Sequence, residues 1–432
     1  MSADRPERNA ALLAQLRATL GPGPLRGWMV PGRIEFLGKH TDYAGGRSLV
    51  CATEQGFCFL ARPRADRTLH VVVAATGERA ELPLEPTIPI PSGEWAAYPA
   101  TVARRLARDF GPLSQGLDLA FASDLPRAAG LSSSSALVVG VALAVAGLNR
   151  LEELPAWRAA FPNREALAGY LGAVENGKAF GAFPTDFGVG TMGGTQDHTA
   201  ILCARPGLLS QYGFAPVRFE RTVPFPPDHL LAVAVSGVVA AKNREALLLY
   251  NARAEAVESL LDVWRSRTTR SDATLFAALA SAPGAAQRLS GWLRGHPEEA
   301  ALRARLEQFT AECDEIIPAV GDAFERADLA KLGPLIDRSQ AGAERGLGNQ
   351  VAETIQLQRS ARRLGAVAAS AFGAGFGGSV WAMVRRDEAE RFLADWSAGY
   401  WSEFPGHRAA AAFFTTRPGR SAEELAGSAL RG

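Results

Sequence analysis

The sequence predicts an α+β protein whose chain folds into two domains that meet at a cleft. Segments typical of strands and of helices alternate irregularly along the chain, and no internal repeat orders them. A proline-rich stretch, VPFPPD at residues 223–228, separates the two halves and has the composition of a linker. The length of 432 residues suits two or three domains of ordinary size. We therefore expect an N-terminal domain at residues 1–225 and a C-terminal domain at residues 226–432.

The N-terminal half begins with a helix that should end near Gly21. RIEFLG (33–38) should form a strand that runs into a turn, and LHVVVAATG (69–77) has the β-branched residues of a second strand. A Gly/Ser turn then leads into a helix of small apolar residues that ends near Asn149. This helix is apolar on every side, which is typical of a helix inside a large core.

The C-terminal half begins with a strand, LLAVAVSG (230–237), whose continuous apolar character indicates burial. A long amphipathic helix should follow at residues 242–264, and further helical stretches come after it. The last clear element is the strand SVWAMV (379–384), which a glycine-rich segment precedes.

Composition excludes several classes of protein. Lys and Arg number 46 against 45 Asp and Glu, so the charge lacks the basic excess of a nucleic-acid-binding protein and we expect no nucleic acid partner. Apolar residues make up 47% and charged residues 21%, as in a globular protein rather than a disordered chain.

The cell compartment follows from cysteine usage and from the apolar segments. The 4 cysteines have no zinc-ligand spacing and are too few for a disulfide scaffold, which favours a reducing cytoplasm. The N-terminus has no apolar core of a secretory signal. The longest uncharged stretch, 128–149, contains four consecutive serines and is better explained by a loop before a buried helix than by a membrane span.

Three glycine-marked segments carry the candidate chemistry, and the first is PGRIEFLGKHTDYAGG (31–46). It brings many kinds of donor and acceptor into one sharp turn, namely Arg33, Glu35, Lys39, His40, Asp42 and Tyr43. Such a set predicts a ligand site. The alternative is a surface turn whose charges are merely solvated.

The second segment is the turn PRAAGLSSSSA (126–136), at the start of the apolar helix. Backbone N–H groups at a helix N-terminus point outward with the positive end of the helix dipole, which favours a polyphosphate. One serine hydroxyl can in addition reach a magnesium ion. The alternative is a serine N-cap and its neighbours.

The third segment is FGAGFGGS (372–379), which holds four glycines just before a strand. Glycines at this density allow a backbone to approach a ligand closely, or simply to make a tight turn. Either interpretation is compatible with this segment alone.

Together and in this order, the three segments resemble the GHMP kinase superfamily, which includes galactokinase, homoserine kinase and mevalonate kinase. The first segment is most similar to the galactokinase pattern GRxNxxGEHxDYxGG, and it matches that pattern at Arg33, Gly38, His40, Asp42, Tyr43, Gly45 and Gly46. GTQD (194–197) is similar to the family's Gly-x-x-Asp, and YNAR (250–253) is similar to its Tyr-Asn-x-Arg.

The resemblance implies an ATP-dependent kinase that phosphorylates the anomeric hydroxyl of galactose or a related hexose. Asp197 would then accept the hydroxyl proton while Arg33 stabilises the developing charge. The implied sugar-binding residues are Lys39, His40, Asp42, Gly194 and Tyr250. The implied nucleotide-binding residues are Gly130, Leu131, Ser132, Ser133, Ser134, Ser135, Gly373 and Gly375, with Mg²⁺ held by Ser134 and Glu175.

The same resemblance implies a two-domain fold, with an N-terminal α/β domain and a ferredoxin-like C-terminal α+β domain. Sugar and nucleotide would lie in the cleft between the domains. We expect small-molecule partners only, and a monomer or a weak homo-oligomer.

The chain departs from the galactokinase pattern in four places. Glu35 stands where the family has Asn, and Lys39 stands where it has Glu. Phe372 stands where Thr is usual, and FGAFPTDFGVG (180–190) has the appearance of an insertion between Glu175 and the aspartate. The first two departures either compensate one another by pairing, or place Lys39 against an anionic substituent such as the carboxylate of a uronic acid.

Two other functions compete with a galactokinase-like sugar kinase. A catalytically silent relative would bind sugar and ATP as a sensor, although the chain retains Asp197, Arg33 and the serine-rich turn. A GHMP kinase for mevalonate or homoserine would lack a reason for the His-x-Asp-Tyr and Tyr-Asn-x-Arg elements, both of which resemble sugar-binding elements.

Overall fold

Two β-sheets organise the chain, which a computed structural model describes at residues 5–91, 93–126, 129–238 and 244–427. The strands of the described residues are β1 Arg26–Leu37, β2 Arg47–Pro63, β3 Thr68–Val73, β4 Arg79–Pro83, β5 Leu117–Ser123, β6 Leu208–Gly213, β7 Arg218–Pro224, β8 His229–Val235, β9 Ala368–Phe372, β10 Ser379–Arg385, β11 Ala412–Thr416 and β12 Glu423–Glu424.

The first sheet has eight strands, and six of them follow the order β12-β1-β2-β5-β3-β4. The other two are β6, which pairs with the N-terminal part of β2, and β7, which pairs with β6. β3 and β5 are parallel, and the helix Ala97–Phe110 lies between them in the chain. β1 and β2 form a long antiparallel pair whose register shifts between Pro31 and Arg33 and again between Glu35 and Leu37. Such irregularities re-aim side chains, and both lie in the first glycine-marked segment.

The second sheet is antiparallel with the order β11-β8-β10-β9. Helices of the C-terminal half cover it, as in a ferredoxin-like arrangement. The chain leaves the first sheet after Pro224 and enters the second at His229, within the proline-rich stretch. This change of sheet supports the domain boundary at residue 225, which stays a prediction.

The helices of the described residues are α1 Arg5–Leu20, α2 Ala97–Phe110, α3 Ser133–Leu148, α4 Pro155–Ala160, α5 Arg164–Asn176, α6 Gln196–Cys203, α7 Arg244–Arg267, α8 Leu275–Ala280, α9 Ala285–Trp292, α10 Glu299–Thr310, α11 Ile317–Glu325, α12 Leu332–Gly342, α13 Ala352–Arg363 and α14 Ala389–Glu403. A wider helical turn at Ala311–Ile316 joins α10 to α11. The sequence prediction for the seventh helix began at residue 242, so its first two residues lie outside the described ranges.

The apolar helix α3 is buried as its composition predicts. It packs on β1, β2 and the helices α2 and α5, within the largest hydrophobic core of the molecule. A Cβ at Gly140 would lie 2.1 Å from the ring of Phe59, so this glycine allows α3 to press directly on β2. The N-terminus of α3 is thereby fixed in the wall of the cleft described below.

The predicted fold class is confirmed: two mixed helix–sheet units form the body of the chain, each with its own sheet. Across the residues that the structure covers, no helix combines the length and the apolar character needed to span a membrane.

Candidate active site

A cleft of about 620 Å³ lies where residues of the two halves meet. It is lined by the first glycine-marked segment, the serine-rich turn, the start of α6 and the third glycine-marked segment. Three segments that are distant in sequence therefore converge on one cavity, which is the geometry expected of a ligand site rather than of separate surface turns.

Arg33 and Asp197 form the centre of this cleft. Nε of Arg33 donates to Oδ1 of Asp197 at 2.7 Å, and Nη2 lies 3.3 Å from Oδ2. The Arg33 side chain is 5% exposed and that of Asp197 is 30% exposed, so the carboxylate is the member of the pair that a ligand can reach. A hydrogen bond from the hydroxyl of Ser132 to Oδ2 fixes the carboxylate from a third side.

The sequence places these two side chains through local backbone features. Arg33 follows the first register shift in β1, and its backbone N–H donates to the carbonyl of Leu131 at 3.2 Å. Its Nη1 donates to the carbonyl of Gly130, so both the backbone and the side chain of Arg33 join β1 to the serine-rich turn. Asp197 lies in the first turn of α6.

The serine-rich turn presents the N-terminus of α3 to the cleft. Gly130 and Ser132 both have left-handed backbone, with φ of +67° and +61°, and Ser132 makes no side-chain cap to the helix. The cleft is lined by Gly130, Ser132, Ser133, Ser134 and Ser135. The uncapped N–H groups of the first turn are therefore available to an anion.

Leu131 does not line the cleft, contrary to the expectation from the resemblance. Its side chain is buried in the large core of the first sheet, because the left-handed backbone on either side turns it inward. What Leu131 contributes is its carbonyl, which holds Arg33.

The third glycine-marked segment packs directly beside this turn, since a Cβ at Gly373 would lie 3.1 Å from the carbonyl oxygen of Gly130. Gly373 and Gly375 have φ of +82° and +81°, and both line the cavity. A Cβ at Gly375 would lie 2.3 Å from the carbonyl oxygen of Asn349, so glycine is required there by space as well as by backbone. Phe372, which departs from the family pattern, places its ring 5.9 Å from the Arg33 guanidinium.

Asp42 and Gly194 meet beside the start of α6, in the part of the cleft that we call its polar end. The backbone N–H of Gln196 donates to Oδ2 of Asp42 at 2.9 Å, and that of Tyr43 donates to Oδ1 at 2.9 Å. Burial raises the pKa of Asp42 above its usual range. A Cβ at Gly194 would lie 2.2 Å from Oδ2, so this glycine permits the approach of the two segments.

Asn176 at the end of α5 fixes the chain that carries Gly194. Its side-chain oxygen accepts from the N–H of Gly193 at 2.8 Å and from the hydroxyl of Thr191 at 2.7 Å. Its amide donates to the carbonyl of Gly194 at 3.2 Å. Sequence reasoning missed this residue, although its position next to Glu175 in Val-Glu-Asn was a usable signal.

His40 and Tyr250 form an aromatic wall of the same end, with ring centroids 5.2 Å apart. Nε2 of His40 lies 3.0 Å from the carbonyl of Ala374, which can only accept, so this nitrogen carries the proton. Nδ1 then accepts from the hydroxyl of Tyr43 at 2.9 Å. Burial lowers the pKa of His40 to about 4, which keeps the ring neutral.

Lys39 does not face the cleft, and the expectation that it binds substrate is wrong for this structure. Its side chain is 1% exposed, and its ammonium donates to the hydroxyls of Ser339 at 3.2 Å and Ser370 at 2.8 Å. Both serines belong to the C-terminal half, behind the wall of the cavity. The proposed reading of a uronic acid by Lys39 loses its structural basis.

Glu35 lies in the cleft wall beside Arg33, and is 3% exposed. Its Oε2 accepts from the side-chain amide of Gln196 at 2.9 Å, whereas Oε1 has no hydrogen-bond partner among the described residues. Burial raises the pKa of Glu35 to about 7, although Lys39 and Arg33 oppose this shift. No contact joins Glu35 directly to Lys39 within the described ranges, so the two do not form the ion pair that compensation would suggest.

The residues expected to hold magnesium suit that ion in kind. Ser134 and Glu175 both line the cleft, and carboxylate and hydroxyl oxygens are the ligands that Mg²⁺ prefers. Oε2 of Glu175 accepts from the hydroxyl of Ser135 at 2.9 Å and lies 2.9 Å from Nε2 of His198. In the part of the chain that is described, no group of three or more acidic, His or Cys side chains forms a complete metal cage. Mg²⁺ here would need further ligands from nucleotide phosphates and water.

An apolar end of the cleft was not anticipated from sequence. It is lined by Phe57, Val73, Trp95, Tyr98, Phe121 and Leu137. These residues come from β2, β3, β5, α2, the segment before α2, and α3, so no local motif marks them. The cavity therefore has a polar end with three carboxyl groups, a central anion site, and an aromatic end beyond it.

Comparison with known families agrees with this arrangement. The family model described as "GHMP kinases N terminal domain" matches residues 97–178, and "GHMP kinases C terminal" matches residues 322–400. "Galactokinase galactose-binding signature" matches residues 17–63, which include the first glycine-marked segment. The three matches occur in chain order and do not overlap.

Similar curated proteins are galactokinases. The galactokinase of Roseiflexus sp. (strain RS-1) is 29% identical over 373 residues, which are 86% of this chain and 86% of that protein. The galactokinase of Chloroflexus aggregans is 27% identical over 393 residues, covering 90% of this chain and 92% of the relative.

Solved structures share the fold. Lactococcus lactis galactokinase complexed with galactose superposes with a TM-score of 0.79 at 22% identity, covering 97% of this chain and 100% of that one. Methanococcus jannaschii mevalonate kinase has a TM-score of 0.53 at 13% identity, covering 92% and 99%. With both kinase domains and the galactose-binding signature matched in order, the chain belongs to the GHMP kinase superfamily as a galactokinase-like phosphotransferase.

Proposed function

We propose that this protein transfers the terminal phosphoryl group of ATP to the anomeric hydroxyl of galactose or a closely related neutral hexose, giving the sugar 1-phosphate. The observation that carries the proposal is the Arg33–Asp197 pair, which lies between the galactose-binding segment and the uncapped N-terminus of α3. An acceptor hydroxyl bound at Asp197 would face a phosphate bound at α3.

Asp197 serves as the group that accepts the hydroxyl proton. The anomeric oxygen attacks the terminal phosphorus, the bond from that phosphorus to the ADP oxygen breaks, and the proton moves to the carboxylate. Phosphoryl transfer passes through a loose transition state, so it needs little help from a strong base. Positioning of the acceptor, rather than strong basicity, is its main contribution.

Arg33 holds Asp197 and faces the reacting atoms at the same time. Its guanidinium stabilises negative charge that develops on the acceptor oxygen and the transferring group. Its hydrogen bonds to the carbonyl of Gly130 and to Asp197 leave it little freedom, so this charge is oriented before substrate arrives.

ATP would extend from this centre to the aromatic end. Its phosphates suit the N–H groups at the start of α3 and the backbone of Gly373 and Gly375, and its adenine suits the apolar lining near Trp95. Ser134 and Glu175 would hold a Mg²⁺ ion, which supplies charge neutralisation at the nucleotide phosphates when bound. His198 and Ser135 orient Glu175 for this task.

The charges of the cleft favour a neutral acceptor. Its described lining holds five carboxyl groups and one guanidinium, namely Glu35, Asp42, Glu78, Glu175 and Asp197 against Arg33. Glu35 and Asp42, which both accept from Gln196, are at the sugar end with the neighbouring Asp197. These three carboxyl groups offer acceptors to the hydroxyl groups of a sugar and repel a carboxylate on it. With Lys39 turned away, a uronic acid finds no matching cation there.

The test is ADP release with ATP and magnesium against galactose, glucose, galacturonate and glucuronate. We expect a neutral hexose to be the preferred acceptor, with ADP release strictly dependent on it. ADP release that is independent of sugar, or a preference for a uronate, would overturn the proposal. Sugar binding without any ADP release would identify the sensor instead.

A further inference from the structure

The loop that follows β1 is held by one face of the C-terminal half. Arg305 donates to the carbonyl of His40 at 2.6 Å, Gln308 donates to the carbonyl of Lys39 at 3.4 Å, and the N–H of Gly38 donates to Glu312 at 2.8 Å. Residues 305, 308 and 312 are three and four positions apart along one helical path, so they form one buried polar face. Three backbone groups of this short loop segment, the N–H of Gly38 and the carbonyls of Lys39 and His40, therefore have partners on that face.

Among the side chains of residues 38–40, that of Lys39 is the one that reaches past this face, and its ammonium contacts Ser339 in α12 and Ser370 in β9. The hydroxyl of Ser339 accepts from Lys39 and donates to Glu312 at 3.0 Å. The hydroxyl of Ser370 accepts from Lys39 and donates to Gln340 at 3.3 Å. The polar face, Ser339 and Ser370 together form what we call the loop brace, defined by Arg305, Gln308, Glu312, Ser339 and Ser370.

A buried ammonium is costly unless charge balances it, and hydroxyl groups supply only dipoles. The nearby carboxyl groups are Glu312, one hydroxyl removed from Lys39, and Glu35, whose Oε1 has no hydrogen-bond partner in the described ranges. Lys39 favours the charged form of Glu35 at a distance. Glu35 in turn holds Gln196, whose backbone N–H holds Asp42. One electrostatic interaction, from Lys39 to Glu35, and two hydrogen bonds through Gln196 thus connect Lys39 to the sugar end of the cleft.

We propose that Lys39 is a positioning residue, whose buried ammonium pins the galactose-binding loop to the loop brace and whose charge is matched to the carboxylate of Glu35. The inference rests on the proposed function, because the loop it positions is the sugar-binding one. Arg305, Gln308 and Glu312 lie outside all three family-model matches, so the polar face of the brace belongs to a segment that those models do not cover, whereas Ser339 and Ser370 lie within the C-terminal match. Lys39 sets sugar affinity without touching the sugar.

The test is a double-mutant cycle with Lys39→Met and Glu35→Gln, both of which keep side-chain size and remove charge. In Lys39→Met we expect KM for the sugar to rise at least about fivefold, because the loop loses its pin and Glu35 loses its counter-charge. KM for ATP should change less than about twofold, since the serine-rich turn and the glycine loop are untouched. In the variant that carries both changes, the sugar KM should rise by a smaller factor than the product of the factors found in the two single variants.

Two further variants control the experiment. Lys331→Met removes the same charge from an exposed position and should leave both KM values at the wild-type level. Ser370→Ala removes one acceptor of Lys39 while keeping the ammonium, and should raise the sugar KM by less than Lys39→Met does. If Lys39→Met does not fold, Ser370→Ala still reports the sugar KM against the ATP KM.

Three results would overturn the inference: an unchanged sugar KM in folded Lys39→Met and Ser370→Ala, parallel changes in both KM values, or single effects that simply multiply in the double variant. Thermal unfolding of the wild type, the two single variants and the double variant distinguishes failure of this inference from failure of the proposed function. If the wild type phosphorylates no sugar, the proposed function fails, while non-additive melting temperatures still support the pairing and additive ones reject it.

Discussion

Asp197 accepts hydrogen bonds from two side chains on separate elements, Arg33 in β1 and Ser132 before α3. Its carboxylate is thereby oriented while one third of its surface stays open to the cleft. This exposure leaves the ion-paired aspartate accessible for the proton transfer that we propose. A substitution by asparagine keeps the size of this side chain and removes its charge.

Asp197→Asn should lower kcat at least about 100-fold, because the amide cannot accept the hydroxyl proton. The affinity for ADP, measured by calorimetry, should stay within about threefold, since the nucleotide contacts lie on α3 and the glycine loop. Retained turnover in this variant would remove the assignment of Asp197. An equal loss of ADP binding would show that the substitution disturbed the whole cleft.

Glu35 predicts a pH dependence of stability. Its pKa is raised from 4.5 to about 7, chiefly by burial, so between these pH values the folded chain binds more protons at this site than the unfolded chain. The free energy of unfolding therefore falls as pH rises through that window. His40, whose pKa is lowered from 6.5 to about 4, has the opposite effect between pH 4 and 6.5. Comparison of the wild type with Glu35→Gln isolates the first effect.

Urea unfolding at pH 4.5, 6 and 7.5 measures this difference. Relative to the wild type, Glu35→Gln should gain up to about 3 kcal/mol in unfolding free energy between the lowest and the highest pH. A constant difference between the two proteins at all three pH values would contradict a raised pKa at Glu35.

Gly194 tests the close approach of two segments at the sugar end. Gly194→Ala would place a methyl group 2.2 Å from a carboxylate oxygen of Asp42, so Asp42 must move and the sugar KM should rise at least about tenfold. Gly291→Ala in α9 meets nothing within 4 Å and is the matched control, with unchanged kinetics and equal or slightly higher stability. Equal kinetics in both variants would argue against Asp42 as a sugar ligand.

At the scale of elements, α3 combines a buried apolar body with an open N-terminus. Helix dipoles favour a negative charge at this end whether a phosphate or a side chain supplies it. Ser133→Asp should therefore keep or raise the melting temperature, yet raise KM for ATP at least about tenfold by charge repulsion. Kinetics and thermal unfolding of this one variant provide both readings. A lower melting temperature with an unchanged ATP KM would contradict a phosphate site at α3.

Elements with a local signal were predictable from sequence. β1, β3, α3 and β10 lie at the expected places because β-branched content, small apolar residues and flanking glycines are local properties. The expected convergence of the three glycine-marked segments is observed in one cleft. The roles of the individual residues stay predictions until kinetics test them.

The direction of Lys39 could not be predicted, because it depends on partners more than 250 positions away in the chain. A charge reversal inside a ligand-binding motif suggests a charge reversal of the ligand, whereas tertiary packing turned the side chain to two serines. The position of Leu131 could not be predicted for a related reason, since left-handed backbone at Gly130 and Ser132 turns its side chain into the core. The aromatic end of the cleft was invisible because its side chains come from several separate elements.

At the scale of the whole molecule, function arises where two sheets of different topology face one cavity. The first sheet and α3 supply the Arg33–Asp197 pair and the serine-rich turn, and the second sheet supplies the third glycine-marked segment and one wall of the brace. His40 joins the two directly through its hydrogen bond to the carbonyl of Ala374. The first and third glycine-marked segments are therefore joined directly, and if they bind sugar and nucleotide as proposed, the two sites are held together before either substrate binds.

The central claim is transfer to the anomeric oxygen of a neutral hexose held at Asp197. The most direct measurement is NMR of the product formed from galactose, ATP and magnesium, with phosphorus coupling used to locate the phosphate. We expect coupling to the anomeric proton in the wild type and no product with Asp197→Asn. A phosphate found on any other carbon, or the same product from Asp197→Asn, would contradict it.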